Sequence, residues 1–222
     1  MRTAAIGALV GATALATPAV AEEAPPEVRP PADGAYGRLR GDGSFAVEVG
    51  TSATIGPKAF AGESLALRSS LFYLRTVGLV ASYDESFELV SQPTRRSFAG
   101  ALEIRPLFLG RFARDLERGP AWMDLTLDSL AISMGVWGGL PRRRFCPPRD
   151  CPVDYGMQAG LGLDLPLWAD ADSLYVAFDA NLRWALSGPS DLPPPALVLT
   201  LTLGYQHGFS MGLVDAGDGL AP

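Results

Sequence analysis

Cys146 and Cys151 enclose Pro147-Pro148-Arg149-Asp150, and Arg142-Arg143-Arg144 stands just ahead of them. Together with the export signal described below, an even pair at such short spacing reads as a local disulfide. Its small ring contributes about 2 kcal/mol by the loop-entropy relation. The loop is either a stapled segment that resists proteolysis or a rigid basic knob facing an anionic surface. Zinc is not supported, because two Cys with no nearby His leave the coordination shell half empty. His207 is the single histidine, followed by Gly208-Phe209-Ser210. Hydrolytic chemistry needs a nucleophile, a base and an orienting acid in mutual reach. Without a tight His-x-Ser arrangement, His207 reads as a bystander, and neither a catalytic residue nor a cofactor is assigned. Glu48, Glu103, Arg105, Asp164, Asp179 and Arg183 are isolated charges of both signs among small and apolar residues. They form a gate or solute path, or they pair off to fill a closed interior.

The elements that would position these residues begin with composition. The chain has 222 residues, 48% hydrophobic and 19% charged, with 25 Gly, 19 Pro and a net charge of −6. That length suits one domain, two small ones at most. With 18 Lys+Arg against 24 Asp+Glu, and Lys58 the only lysine, nucleic-acid binding is excluded. Arg2 precedes an uncharged, Ala-rich stretch from Ala4 to Val20, and Ala19-Val20-Ala21 offers the small-x-small cleavage pattern. Residues 1–21 therefore read as a secretory signal peptide for the Sec pathway. No Cys stands directly after the small residues, so a lipoprotein anchor is not supported. Residues 22–43, with Pro25-Pro26 and Pro30-Pro31, read as a Pro-rich extended linker. Beyond the signal no uncharged apolar run is long enough for a membrane helix, which leaves a membrane barrel open.

From Ser44 onward the period is two. Phe45, Val47, Val49, Thr51, Ala53 and Ile55 share one face, with Ala46, Glu48, Gly50 and Ser52 opposite. The pattern recurs through Leu65–Tyr73, Val77–Leu89, Phe98–Phe108 and Leu130–Val136. It is cleanest in Met157–Leu167, Leu174–Leu186 and Leu197–Tyr205. That predicts eight strands within residues 44–209 and a tail at 210–222. The boundary at Leu74-Arg75-Thr76 has no turn dipeptide, but an unbroken strand from Ser64 to Leu89 is far too long. Leu109–Met123, carrying Arg111, Arg114, Asp115, Glu117 and Arg118, is either a short amphipathic helix or a polar connection.

Such a pattern fits a soluble barrel with the Leu face inside, or a membrane barrel with the Leu face in lipid. Three features favour the second. The minority face is Gly, Ala, Ser and Thr with few charges, unlike a solvated face. Phe98 and Phe108 lie ten residues apart, which at ~3.3 Å per residue and a ~40° tilt spans roughly 25 Å, the height of an apolar band. Trp122, Trp184 and Tyr205 also fall near strand ends, although the parity of Trp137 and Trp168 puts them off the Leu face. The export signal is the third.

On these residues the chain resembles the small eight-stranded outer-membrane barrels of the OmpA/OmpX type, from Ser44 to about Phe209. The resemblance is architectural, with no shared motif. It implies an all-β, up-and-down antiparallel transmembrane barrel in a Gram-negative outer membrane. It also implies a monomer with periplasmic termini, short periplasmic turns, longer outer loops, and lipid and lipopolysaccharide as partners. Tyr205 or Phe209 would close the last strand. The expected role is structural or interaction-related, with a largely plugged lumen. The alternatives are a narrow porin-like channel, a lipid-modifying enzyme using His207, and a secreted soluble barrel.

Overall fold

The computed structural model describes residues 41–56, 60–87, 94–112, 114, 120–141, 153–187 and 195–211. The signal peptide, most of the linker, Arg142–Arg144, Cys146, Cys151 and most of the tail lie outside the described residues. Eight strands run in chain order: β1 (Gly43–Ile55), β2 (Phe60–Tyr73), β3 (Val77–Ser86), β4 (Thr94–Ile104), β5 (Ala131–Pro141), β6 (Asp154–Pro166), β7 (Leu174–Ser187) and β8 (Ala196–Phe209). Helices α1 (Pro106–Phe112) and α2 (Ala121–Asp128) join β4 to β5. Each strand pairs antiparallel with its sequence neighbours, and β8 returns to β1 from Gly43↔Phe209 to Ile55↔Leu197. The chain is a closed, up-and-down barrel of eight strands.

The alternation predicted from the sequence sets the two faces, and the apolar one is outside. On β1, Val47 and Val49 are each 50% exposed while Glu48 between them is 6% exposed. On β8, Leu199, Leu201, Leu203 and Tyr205 point out, whereas Val198, Thr202 and Gln206 are buried. Inside, the buried side chains are chiefly small or polar, among them Ala66, Ala99, Ala177, Ser52, Ser70, Ser97 and Gln158. Eight strands enclose only enough space for side chains, and close wall contacts demand glycine in places. A Cβ on Gly135 would lie 2.1 Å from the carbonyl oxygen of Gly100.

The β2–β3 connection is a tight turn closed by the Thr76 N–H donating to the Tyr73 carbonyl at 3.0 Å. Its central residues, Leu74 and Arg75, have φ of 47° and 53°. This is the left-handed geometry that suits hairpin twist but costs a non-glycine residue about 1–2 kcal/mol. Substituting Leu74→Gly is expected to stabilise the barrel by about 1 kcal/mol, seen as a higher urea midpoint in detergent micelles. The Leu74 N–H donates to the Asp42 carbonyl at 2.8 Å, a bond that glycine keeps.

Two expectations need correction at the same end of the barrel. Phe108 is not an outward aromatic of β4: it sits on α1 and is 3% exposed, so the Phe98–Phe108 spacing does not measure an apolar band. Pro106 explains why, since it has no N–H for the ladder and its fixed φ suits the first turn of a helix. Nor are all turns on the termini side short. The β2–β3 connection is, but β6–β7 takes residues 167–173 and β4–β5 carries two helices. Leu109, Phe112 and Leu116, the apolar positions expected there, have no described side chains.

Candidate functional site: the ion-paired lumen

Glu48, Glu103, Arg105 and Asp164 are buried inside the barrel, and Asp179 and Arg183 project from the inward parity of β7. These six do not make one network. Five of them gather around Arg68 of β2, and Arg183 belongs to a separate group nearer the opposite end.

Arg68 is the hub of the first group. Its Nη1 donates to Asp179 Oδ2 at 2.7 Å and reaches Glu48 Oε2 at 3.5 Å, and its Nη2 donates to Glu103. One guanidinium therefore ties β2 to β1, β4 and β7 across the lumen. Arg105 continues the chain of charges, donating from Nη2 to Asp164 Oδ2 at 2.8 Å and to Glu103 Oε1 at 3.4 Å. Its guanidinium carbon lies 4.2 Å from the centroid of the buried Phe72 ring, a cation–π arrangement. Glu48 also accepts from Tyr175 Oη at 3.0 Å and from Thr202 Oγ1 at 2.6 Å. Buried charges are tolerable only when paired and hydrogen-bonded in this way.

In the second group Arg183 donates to Asp84 Oδ2 at 3.2 Å, Gln158 Oε1 at 3.1 Å and Ser97 Oγ at 3.2 Å. Ser52 and Ser97 donate to the two Asp84 oxygens at 2.9 and 2.8 Å. Trp137, off the Leu face by parity, has its ring 5.8 Å from the Arg183 guanidinium. Between the groups lies a cavity of about 30 Å³, lined by Arg68, Glu103, Asp179, Asn181 and Arg183 among others. That is room for a water or two.

Solved bacterial barrels are similar to this chain. The N-terminal β-barrel domain of Pseudomonas aeruginosa OprF matches with 11% identity over 74% of this chain and 97% of that one, at a TM-score of 0.43. The outer membrane protein OprG of the same organism matches with 11% identity over 76% and 98%, at 0.46. Ail, the attachment invasion locus protein of Yersinia pestis, matches with 11% identity over 75% and 99%, at 0.41. No protein-family model and no curated protein matches the chain. The closed ring of strand pairings stands independently of these likenesses.

His207 is far from both lumen groups in character. It lies on the outer wall opposite Phe45, its side chain 62% exposed, with Nδ1 3.3 Å from Asp172 Oδ2. Asp172 is a structural tie: its Oδ1 accepts from Arg75 at 2.6 Å and from the Gly208 N–H at 2.9 Å. Arg75 also donates to the Ala171 carbonyl at 3.0 Å. The tie joins the β2–β3 turn, the β6–β7 turn and the end of β8. Among the described residues no hydrogen bond joins His207 to Ser210.

The residues missed by sequence reasoning are Arg68, Asp84 and Tyr175. Each occupies the inward parity of its strand: Arg68 between Leu67 and Ser69, Asp84 after Tyr83, and Tyr175 between Leu174 and Val176. The signal was therefore present, as a charged or hydroxylated side chain at an even step from the small residues. What parity does not carry is which strands face one another across the lumen.

Proposed function

We propose that this chain is a bacterial outer-membrane β-barrel with a non-enzymatic structural or interaction role and a lumen closed by its own side chains. The observation that carries the reading is the inverted partition: an apolar girdle outside and paired charges inside. Soluble monomers rarely expose a contiguous apolar patch beyond a few hundred Å². Here Leu67, Leu79, Leu102, Ile132, Leu161, Phe178 and Leu201, from seven different strands, are all exposed. Strands of 10 to 14 residues suffice for crossing, since a tilted membrane strand needs about 9–11. Closure pairs the wall strands on both sides, as hydrocarbon requires. Outward charge supports a rim: Arg96 and Glu85 pair at 3.1 Å near the loop end of β3 and β4.

The signal peptide at 1–21 routes the chain through Sec, which puts the termini on the periplasmic side. The β5–β6 connection, on which Arg142–Arg144, Cys146 and Cys151 fall, is then the third outer loop. The Arg68 group closes the lumen, with ion pairs drawn from four strands. Residues of α1 and α2, led by Phe108, line a second cavity of about 50 Å³ at the periplasmic end. The test is outer-membrane fractionation with heat-modifiable gel migration of the detergent-folded chain, followed by planar-bilayer recording. Co-fractionation and silence are expected. Recovery in the soluble periplasm would overturn the outer-membrane reading. Steady conductance would overturn closure, and four carboxylates against two guanidiniums in the Arg68 group would then make the channel prefer cations.

A further inference from the structure

Helix α2 is amphipathic in the wrong direction for water. Asp124 and Asp128 face the barrel and are 2% and 5% exposed. Both are held there by Arg111 of α1, whose Nη1 lies 3.5 Å from Asp128 Oδ1 and whose Nη2 donates to Asp124. Trp122, Met123 and Leu127 point away and are 53%, 48% and 43% exposed. A helix beside solvent places its acids outward and its Trp and Leu inward. Here the helix repeats the inversion of the barrel wall.

The exposed face is also continuous with that wall. Ile104 of β4 and Ile132 of β5 are register partners, and both point outward. Leu107 on α1 follows Ile104 beyond the end of β4, and Leu130 joins α2 to Ile132, both of them exposed. The apolar belt therefore runs off the strands and onto the helices without a polar break on these side chains. Trp, moreover, is the side chain enriched where acyl chains give way to headgroups.

We propose that α1 and α2 form a membrane-interface foot, with the Trp122–Met123–Leu127 face seated in phospholipid of the leaflet on the termini side. This rests on the outer-membrane reading and adds a surface to it. The acids do not oppose seating, because both are buried on the far side of the helix, where Arg111 pairs with each of them. Amphipathic helices lie in this way about 5–10 Å into the headgroup and acyl boundary.

The test uses the full chain folded into phosphatidylcholine vesicles and its Trp122→Phe variant. Trp122 touches the outside of the fold, so heat-modifiable migration should survive the change. The wild-type minus variant emission spectrum reports Trp122 alone. It should be blue-shifted and lose about half its intensity with lipids brominated near the carbonyl end of the acyl chains, less with bromines near the methyl end. Quenching by aqueous acrylamide without quenching by brominated lipid would overturn the foot. So would shielding from both, which indicates a second copy or another protein on that face. Trp184 on the outer wall of β7 separates the two readings through its own Trp184→Phe difference spectrum. If Trp184 is quenched by brominated lipid and Trp122 is not, only the foot fails; if neither is, the outer-membrane reading fails with it.

Discussion

Arg68→Ala is expected to cost the folded barrel about 3–5 kcal/mol, the penalty for removing one partner from a buried ion group. Glu48, Glu103 and Asp179 would lose their shared guanidinium at once. Glu48 keeps Tyr175 and Thr202 as donors, and Glu103 keeps Arg105 at 3.4 Å, so the damage falls hardest on Asp179. Urea titration in detergent, followed by loss of the fast-migrating folded band, measures the effect. Arg96→Ala is the internal comparison. Its pair with Glu85 is 43% and 31% exposed, and its loss should cost under about 1 kcal/mol. Equal, small losses for both would mean that water already reaches the Arg68 carboxylates. Closure of the lumen would fail with them.

Leu201→Arg addresses the other side of the wall. Leu201 is 46% exposed near the middle of β8, flanked by Phe178 of β7 and Thr51 of β1. At the centre of a bilayer an outward arginine costs a barrel about 2–4 kcal/mol, and the cost fades toward the interfaces. On a water-facing wall the same substitution stays within about ±0.5 kcal/mol. Unfolding of the two chains in lipid vesicles distinguishes these cases. A neutral result would remove the membrane from the outer face of β8.

The strand count, the alternation and the polarity of the interior were legible because period two survives in nearly every strand. A run such as Leu197-Val198-Leu199-Thr200-Leu201-Thr202-Leu203 leaves little freedom about which residues share a side. Which side faces out was not a matter of period. Scarcity of charge on the minority face marks it as the inner one, and the exposed Leu positions agree. Arg68 does not stand out in the sequence because it is a lone charge between Leu67 and Ser69, and its importance comes from where β1, β4 and β7 lie in space. The helices were obscured by local accident: Phe108 continues the apolar rhythm of β4 past Pro106, where the ladder has already lost its donor. The turn at Leu74-Arg75 carries no Gly or Asn to announce it. Its left-handed geometry is held instead by Asp42 and by the Arg75 tie to Asp172.

The β1–β8 seam has a consequence for how the chain reaches its final state. Its partners, Gly43↔Phe209 through Ile55↔Leu197, come from the two ends of the barrel sequence. Until β8 arrives, both edge strands carry open rows of N–H and C=O groups, each costing several kcal/mol in hydrocarbon. A partly assembled sheet therefore has no stable resting place inside the lipid. On the outer-membrane reading, entry and closure then occur together as one cooperative, slow event, paced by the longest loop closure in the chain. A chain truncated before Ala196 should accordingly stall at the surface rather than insert as a seven-stranded remnant.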